Sequence, residues 1–286
     1  MNPIKIGSYD SKKQFCRRLA EGYLLEPEVA PWPSLDSSSL DRLQRIPLWA
    51  SLLQSQFTAA QVVNAFAQTL SDSMIKEAIA LQAQHEEQHY QELVAFVKAY
   101  DLAVPTLQTV LPATNLETAF IDLGFQKCLN ALLGFGFYGL AQETQAFPDE
   151  LLQRFDRLLA EESRHIVFFI NWFAYSQTKL GKSWNELRGI SAIWQRWGDL
   201  LNLLMAFGKD DDEDNILFIL FGGTNPEQLT AERFLAICLS ENKRRMSLPG
   251  TAGLQPKLAP ALASFGRSAW QFWPHRKANR TATSLS

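Results

Sequence analysis

Two short runs in this chain hold residue types that do chemistry: Glu86-Glu87-Gln88-His89 and Glu162-Ser163-Arg164-His165. Each sets a carboxylate three residues before an imidazole. On a helix three residues turn through about 300°, so the Glu and His of each run share a face one turn apart. Two such helices facing each other would bring two carboxylates and two imidazoles to one point. Buried carboxylates lose hydration and repel, a cost of several kcal/mol that a cation between them removes. Oxygen and imidazole donors without a thiolate favour iron or manganese over structural zinc.

The flanking residues decide whether these pairs are inside. Steps of four and three through the later run give Leu151, Phe155, Leu158, Glu162, His165, Phe169 and Trp172. Through the earlier run they give Ile75, Ile79, Gln82, Glu86, His89, Leu93 and Phe96. A solvated pair would fall on the polar face instead, so both pairs are predicted to face a core.

The elements that must hold them are helices, since helical periodicity dominates and no alternating strand with hairpin signals occurs. The expected order is an N-terminal arm with a helix over 8–25 within residues 1–44, then four long helices within 45–180. These four span about 47–70, 73–100, 116–146 and 149–179, with Ser71-Asp72-Ser73 recapping the second and a connection over 101–115 long enough to cross the bundle. A helical extension over 181–274 is expected to pack on the bundle, with helices near 184–207, 226–246 and 258–273. Residues 275–286 read as a disordered tail. The fold class is all-α.

Bulk properties narrow the function. The 286 residues are 47% hydrophobic with a net charge of −3, which gives no field for nucleic acid or anionic membrane. Three scattered cysteines, Cys16, Cys128 and Cys238, argue against a disulfide framework or thiolate zinc site. The longest apolar run, residues 216–221, is too short to span a bilayer, and no apolar leader opens the sequence; the expected location is the cytoplasm. The acidic run Asp210–Asp214 lacks EF-hand spacing and reads as a solvated loop. No P-loop, Rossmann glycine pattern or nucleophile elbow is present.

With these motifs, residues 45–178 resemble the ferritin-like superfamily of diiron-carboxylate proteins, whose two signature Glu-x-x-His motifs match Glu86–His89 and Glu162–His165 in order and spacing. The segment Asp149–His165 also looks like the fourth helix of bacterial hydroxylase members. The resemblance implies a ferritin-like four-helix bundle with two irons per chain, manganese being an alternative. It implies an O₂-dependent oxidase or oxygenase acting on a small organic substrate, with an electron-donor protein as partner and a homodimer as one assembly.

The family also supplies a glutamate from the first helix and one from the third. The first-helix position level with Glu86 falls within 54–59, where Gln56 lies on the inward stripe and no acid occurs. On the third helix the stripe Asp122, Gln126, Leu129, Leu133, Gly136, Leu140, Glu143 ends in the one candidate, Glu143. By helix rise that residue sits about 12–14 Å from the level of Glu162 unless the glycines over 134–139 bend the chain. Glu143 is therefore either the bridging ligand or a surface acid. His85 is an added ligand, an outer partner or, preferred, a partly exposed histidine; Gln56 and Glu92 are further outer partners, Glu92 as orienter of an imidazole. Two other readings stay open. One is a scaffold or single-metal bundle, which Gln56 supports. The other is a haem-oxygenase-like fold with a diiron site, against which Leu158 stands where that fold carries a histidine.

Overall fold

The computed structural model describes residues 4–21, 31–104, 106–109, 115–191, 230–248 and 250–271, and among these every regular element is helical. We label the α-helices α1 (Tyr9–Glu21), α2 (Ser37–Arg45), α3 (Trp49–Thr69), α4 (Ser73–Ala99), α5 (Leu116–Glu143), α6 (Asp149–Lys179), α7 (Ala231–Arg245) and α8 (Leu258–Gln271). No described helix is long and apolar enough to cross a membrane.

Two of the four long helices α3–α6 start at a short polar residue that satisfies an orphan backbone group. Asp72 caps α4 by accepting from Ile75 N at 3.2 Å, and Asn115 caps α5 by accepting from Thr118 N at 3.0 Å. Three residues join α3 to α4 and five join α5 to α6, which forces each pair to run antiparallel. The ends identify the remaining orientation. Phe66 near the end of α3 stacks on Phe120 near the start of α5, with Trp172 of α6 against both. At the opposite pole Trp49 of α3 meets Phe96 of α4 and Phe155 of α6. Thus α4 and α5 are parallel, and the segment between them must traverse the bundle. Gln54 fastens that crossover to α3 through bonds to both Gln108 N and Gln108 O, each 2.8 Å.

Three features depart from the expectations. Helix α2 lies between the N-terminal helix and the first bundle helix, where no element was expected; it is capped by Asp36, whose carboxylate accepts from Ser39 N at 2.9 Å and is thereby held below its ordinary pKa. Helix α1 is not a detached arm: Phe15 packs edge-on against Phe168 and Tyr175 of α6, and Lys12 pairs with Asp72 at 2.5 Å. Where a helix from 184 was expected there is a short 3₁₀ turn, Glu186–Gly189; most of that predicted helix, the Asp210–Asp214 run, the 216–221 run, the beginning of the helix expected over 226–246 and the tail lie outside the described residues.

Helix α5 explains how the C-terminal extension attaches. It neither bends nor bulges; it is one continuous helix buried on two sides, with α3 and α6 on one and α7 and α8 on the other. The glycines read as a hinge are instead a contact surface. A Cβ at Gly136 would collide with Cys238 Sγ, and one at Gly139 would meet Ile237 Cγ2 at 2.7 Å, so their absence lets α7 approach closely. Arg245, fully buried at the end of α7, holds the junction by donating to Asp156 Oδ1 at 2.7 Å and lying over the rings of Phe135 and Tyr138.

Candidate metal centre

Both inward stripes land as their periodicity requires. Every residue of the α4 stripe is buried, and on α6 only Phe155 is partly exposed. Glu86, His89, Glu162 and His165 converge midway along the bundle. One ligand atom from each lies within 4.8 Å of all the others, and all four residues are buried.

The imidazoles are held from outside. His89 Nε2 donates to Glu161 Oε2 at 2.7 Å, which turns Nδ1 inward to 3.4 Å from Glu162 Oε1. His165 Nε2 bonds His85 Nδ1 at 2.9 Å, which turns its Nδ1 to 3.2 Å from Glu86 Oε1. Neither inward Nδ1 has a hydrogen-bond partner, although both are buried. Two buried imidazole nitrogens facing two carboxylates make a donor set that could hold a cation. Donor atoms about 2.1 Å from one ion lie about 3–4 Å from each other, so the two nitrogen–oxygen pairs are close to ligating separation. Among the described residues, these four form the one cluster that could hold a metal ion.

Charge and burial shape the rest. Helix α5 contributes no acid here but an amine: Lys127 Nζ bonds both oxygens of Glu86 and donates to Glu162 Oε1 at 2.9 Å. Burial pushes the Glu86 and Glu162 carboxyls up, but Lys127 beside both outweighs it and leaves each below the carboxylate range. Burial likewise works against the ammonium, and the two carboxylates raise Lys127 regardless. Burial would lower His89 too, yet its hydrogen bond to Glu161 and the nearby Glu162 carboxylate raise it to about 9. His85 has no such support: burial, then the neighbouring His165, take it down to about 3, so its ring is neutral. Three carboxylates, Glu86, Glu161 and Glu162, thus face two cations in the metal-free protein, Lys127 and a protonated His89.

Several expected residues go elsewhere. Glu143 is no bridge: it lies at the surface, nearly half exposed, and pairs with Arg233 at 3.1 Å. Glu92 pairs with Arg157 at 2.6 Å; its expected part as imidazole orienter belongs to Glu161, one helix across. His85 is buried, not partly exposed, and it is an outer partner of His165. Gln56 reaches the site as its register required, donating to Glu162 Oε1 at 3.1 Å, and Gln82 donates to Glu86 Oε1 at 3.3 Å. Tyr138 belongs to the Arg245 junction and Tyr90 packs on Phe57, so neither serves the centre.

Lys127 was missed because the stripe drawn through α5 ran one residue off, through Gln126. A helix covered on both sides has no unique apolar stripe; the one available signal was a lysine inside a stretch from Phe120 to Leu140 whose single other charged residue is Asp122. Beside Lys127 a narrow pocket, with room for a water-sized molecule, is lined by Val63, Gln82, Phe120, Leu123, Phe169 and His165. Comparisons of the chain with protein-family models, curated proteins and solved structures found no match.

Proposed function

We propose that this chain is a ferritin-like metalloprotein holding one redox-active divalent ion, iron or manganese, on Glu86, His89, Glu162 and His165, and that it is an O₂-dependent oxidase. The observation that carries this reading is the pair of buried, unpartnered Nδ1 atoms of His89 and His165 facing Glu162 and Glu86. The single long crossover is the topology of ferritin-like bundles and adds to it. One ion is favoured over two because the positions from which further carboxylates would bridge a second carry Gln56 and Lys127.

The bound ion would supply one-electron chemistry with O₂ on an organic reductant. The chain's own residues do the rest. Glu161 and His85 fix which nitrogen of each imidazole carries the proton. The Gln56 and Gln82 amides donate to the two carboxylates and orient them. Lys127 keeps a positive charge beside Glu86 and Glu162. Phe120, Leu123 and Phe169 close the site on one side and admit only small molecules through the pocket described above.

A second reading has its own observation. Lys127 already compensates Glu86 and Glu162, which is how a metal-free structural core would be satisfied. One experiment separates the two. Protein loaded anaerobically with Fe²⁺ and desalted should retain one iron per chain and consume O₂ on exposure. H89A and H165A proteins should retain none. Wild-type protein that retains no iron and no manganese after full loading would leave the structural core as the function.

A further inference from the structure

Lys127 and a metal ion would claim the same atoms. Its ammonium bonds Glu86 Oε1 and Glu162 Oε1, the two oxygens that face the orphaned nitrogens of His165 and His89. Next to it is a place to go. The water-sized pocket is lined by Lys127 itself and by Gln82, and Gln82 Oε1 is a buried acceptor with no hydrogen-bond partner. An ammonium is about the size of a water molecule, and a buried amide oxygen with no donor is a vacancy for one.

We propose that Lys127 is a resident counter-ion with two positions: on Glu86 and Glu162 in the metal-free protein, and on Gln82 Oε1 when a metal ion takes those carboxylates. The inference rests on the proposed metal centre and adds the residue that sets its affinity. In the metal-free chain Lys127 keeps the carboxylates compensated, so the bundle folds without metal. Every binding event then includes the cost of moving the ammonium. The affinity is lower than the four ligands alone would give, and the centre exchanges its ion instead of locking it in. Binding swaps one cation for another at the carboxylates and forms a Lys127–Gln82 hydrogen bond in the pocket.

The test is Mn²⁺ titration of the full-length chain, with free ion read by electron paramagnetic resonance, alongside thermal melts in chelator. K127M, which removes the competing ammonium and keeps the volume, should bind Mn²⁺ about 10- to 100-fold more tightly than wild type. Its metal-free melting temperature should fall by about 5 °C or more, and Mn²⁺ should restore it, because two buried carboxylates lose their cation. Q82L should weaken Mn²⁺ binding in wild type more than in the K127M background, since only a lysine needs the amide oxygen; equal effects in both backgrounds overturn the second position. Should K127M not fold without metal, K127Q must show the same tightening. Equal Mn²⁺ affinity in wild type and variant overturns the displacement and leaves the metal centre standing. No Mn²⁺ binding by either removes the centre, and this inference with it.

Discussion

Metal-free protein should lose stability as pH rises through the neutral range, and His89 is the reason. Its pKa is raised from 6.5 to about 9 by the hydrogen bond to Glu161 and the neighbouring Glu162 carboxylate, which together outweigh burial. A group that holds its proton more tightly when folded stabilises fully below its unfolded pKa, and that contribution disappears as pH climbs through the folded value. At about 1.4 kcal/mol per pH unit, a rise from 6.5 to about 9 amounts to about 3 kcal/mol, of which about 2 kcal/mol is lost between pH 6.5 and about 8.5. His85 cannot mask the trend, because its pKa is lowered to about 3: its effect runs the other way and ends at 6.5. The three thiols, all pushed up by burial, take effect only above about pH 8.5, which sets the upper limit of the window. The measurement is urea unfolding in chelator at half-unit steps across this window, for wild type and H89Q. Wild type should fall by about 2 kcal/mol and H89Q should stay nearly level. A wild-type profile flat to within about 0.5 kcal/mol, or an H89Q profile with the same slope, would refute a protonated His89 in the metal-free cluster.

Three further outcomes follow from the same geometry. E161Q removes the carboxylate that holds His89 Nε2, so Mn²⁺ affinity should drop about 10- to 100-fold while the far-ultraviolet circular dichroism stays unchanged. G124A places a methyl group against the Phe169 ring in a packed core; it should cost about 1–3 kcal/mol in urea unfolding, and an unchanged midpoint would mean that the Phe169 wall can yield. R245M keeps the volume but leaves Phe135 without its cation, and Tyr138 and Asp156 with Arg244 alone; the loss should be about 2–3 kcal/mol, measured by thermal or urea unfolding.

How far the residues could be read in advance follows from how each helix is covered. Helices α4 and α6 have one buried side that carries the chemistry, so stepping through their apolar residues found Glu86, His89, Glu162 and His165 without error. Helix α3 was legible by arithmetic, since the tight connection at Asp72 fixes its register against α4 and puts Gln56 at the level of the centre. Residues whose partners lie on other helices were not legible. Glu161 lies one position off the inward stripe of α6, and only the packing of the helices sets it against His89 in the place expected of Glu92. His85 was read as partly exposed for the same reason: its cover is His165, eighty positions away.

Helix α5 shows why the site could not be completed from the chain alone. Its inward and outward faces are both apolar, because α7 lies along it at the glycines, so an apolar stripe can be drawn through it in more than one direction. The family resemblance asked for a glutamate there, and Glu143 was the one glutamate on the stripe chosen. A buried pair of carboxylates asks for something more general: positive charge, whatever supplies it. A side chain of the third helix can meet that requirement as an acid that recruits a metal or as an amine that stands in for one, and these answers have opposite charge. Searching α5 for either sign would have reached Lys127, which is level with Glu86 and Glu162 and is the one charged side chain on that helix to be buried. The same substitution of sign is what makes the centre's affinity for a metal depend on where Lys127 lies.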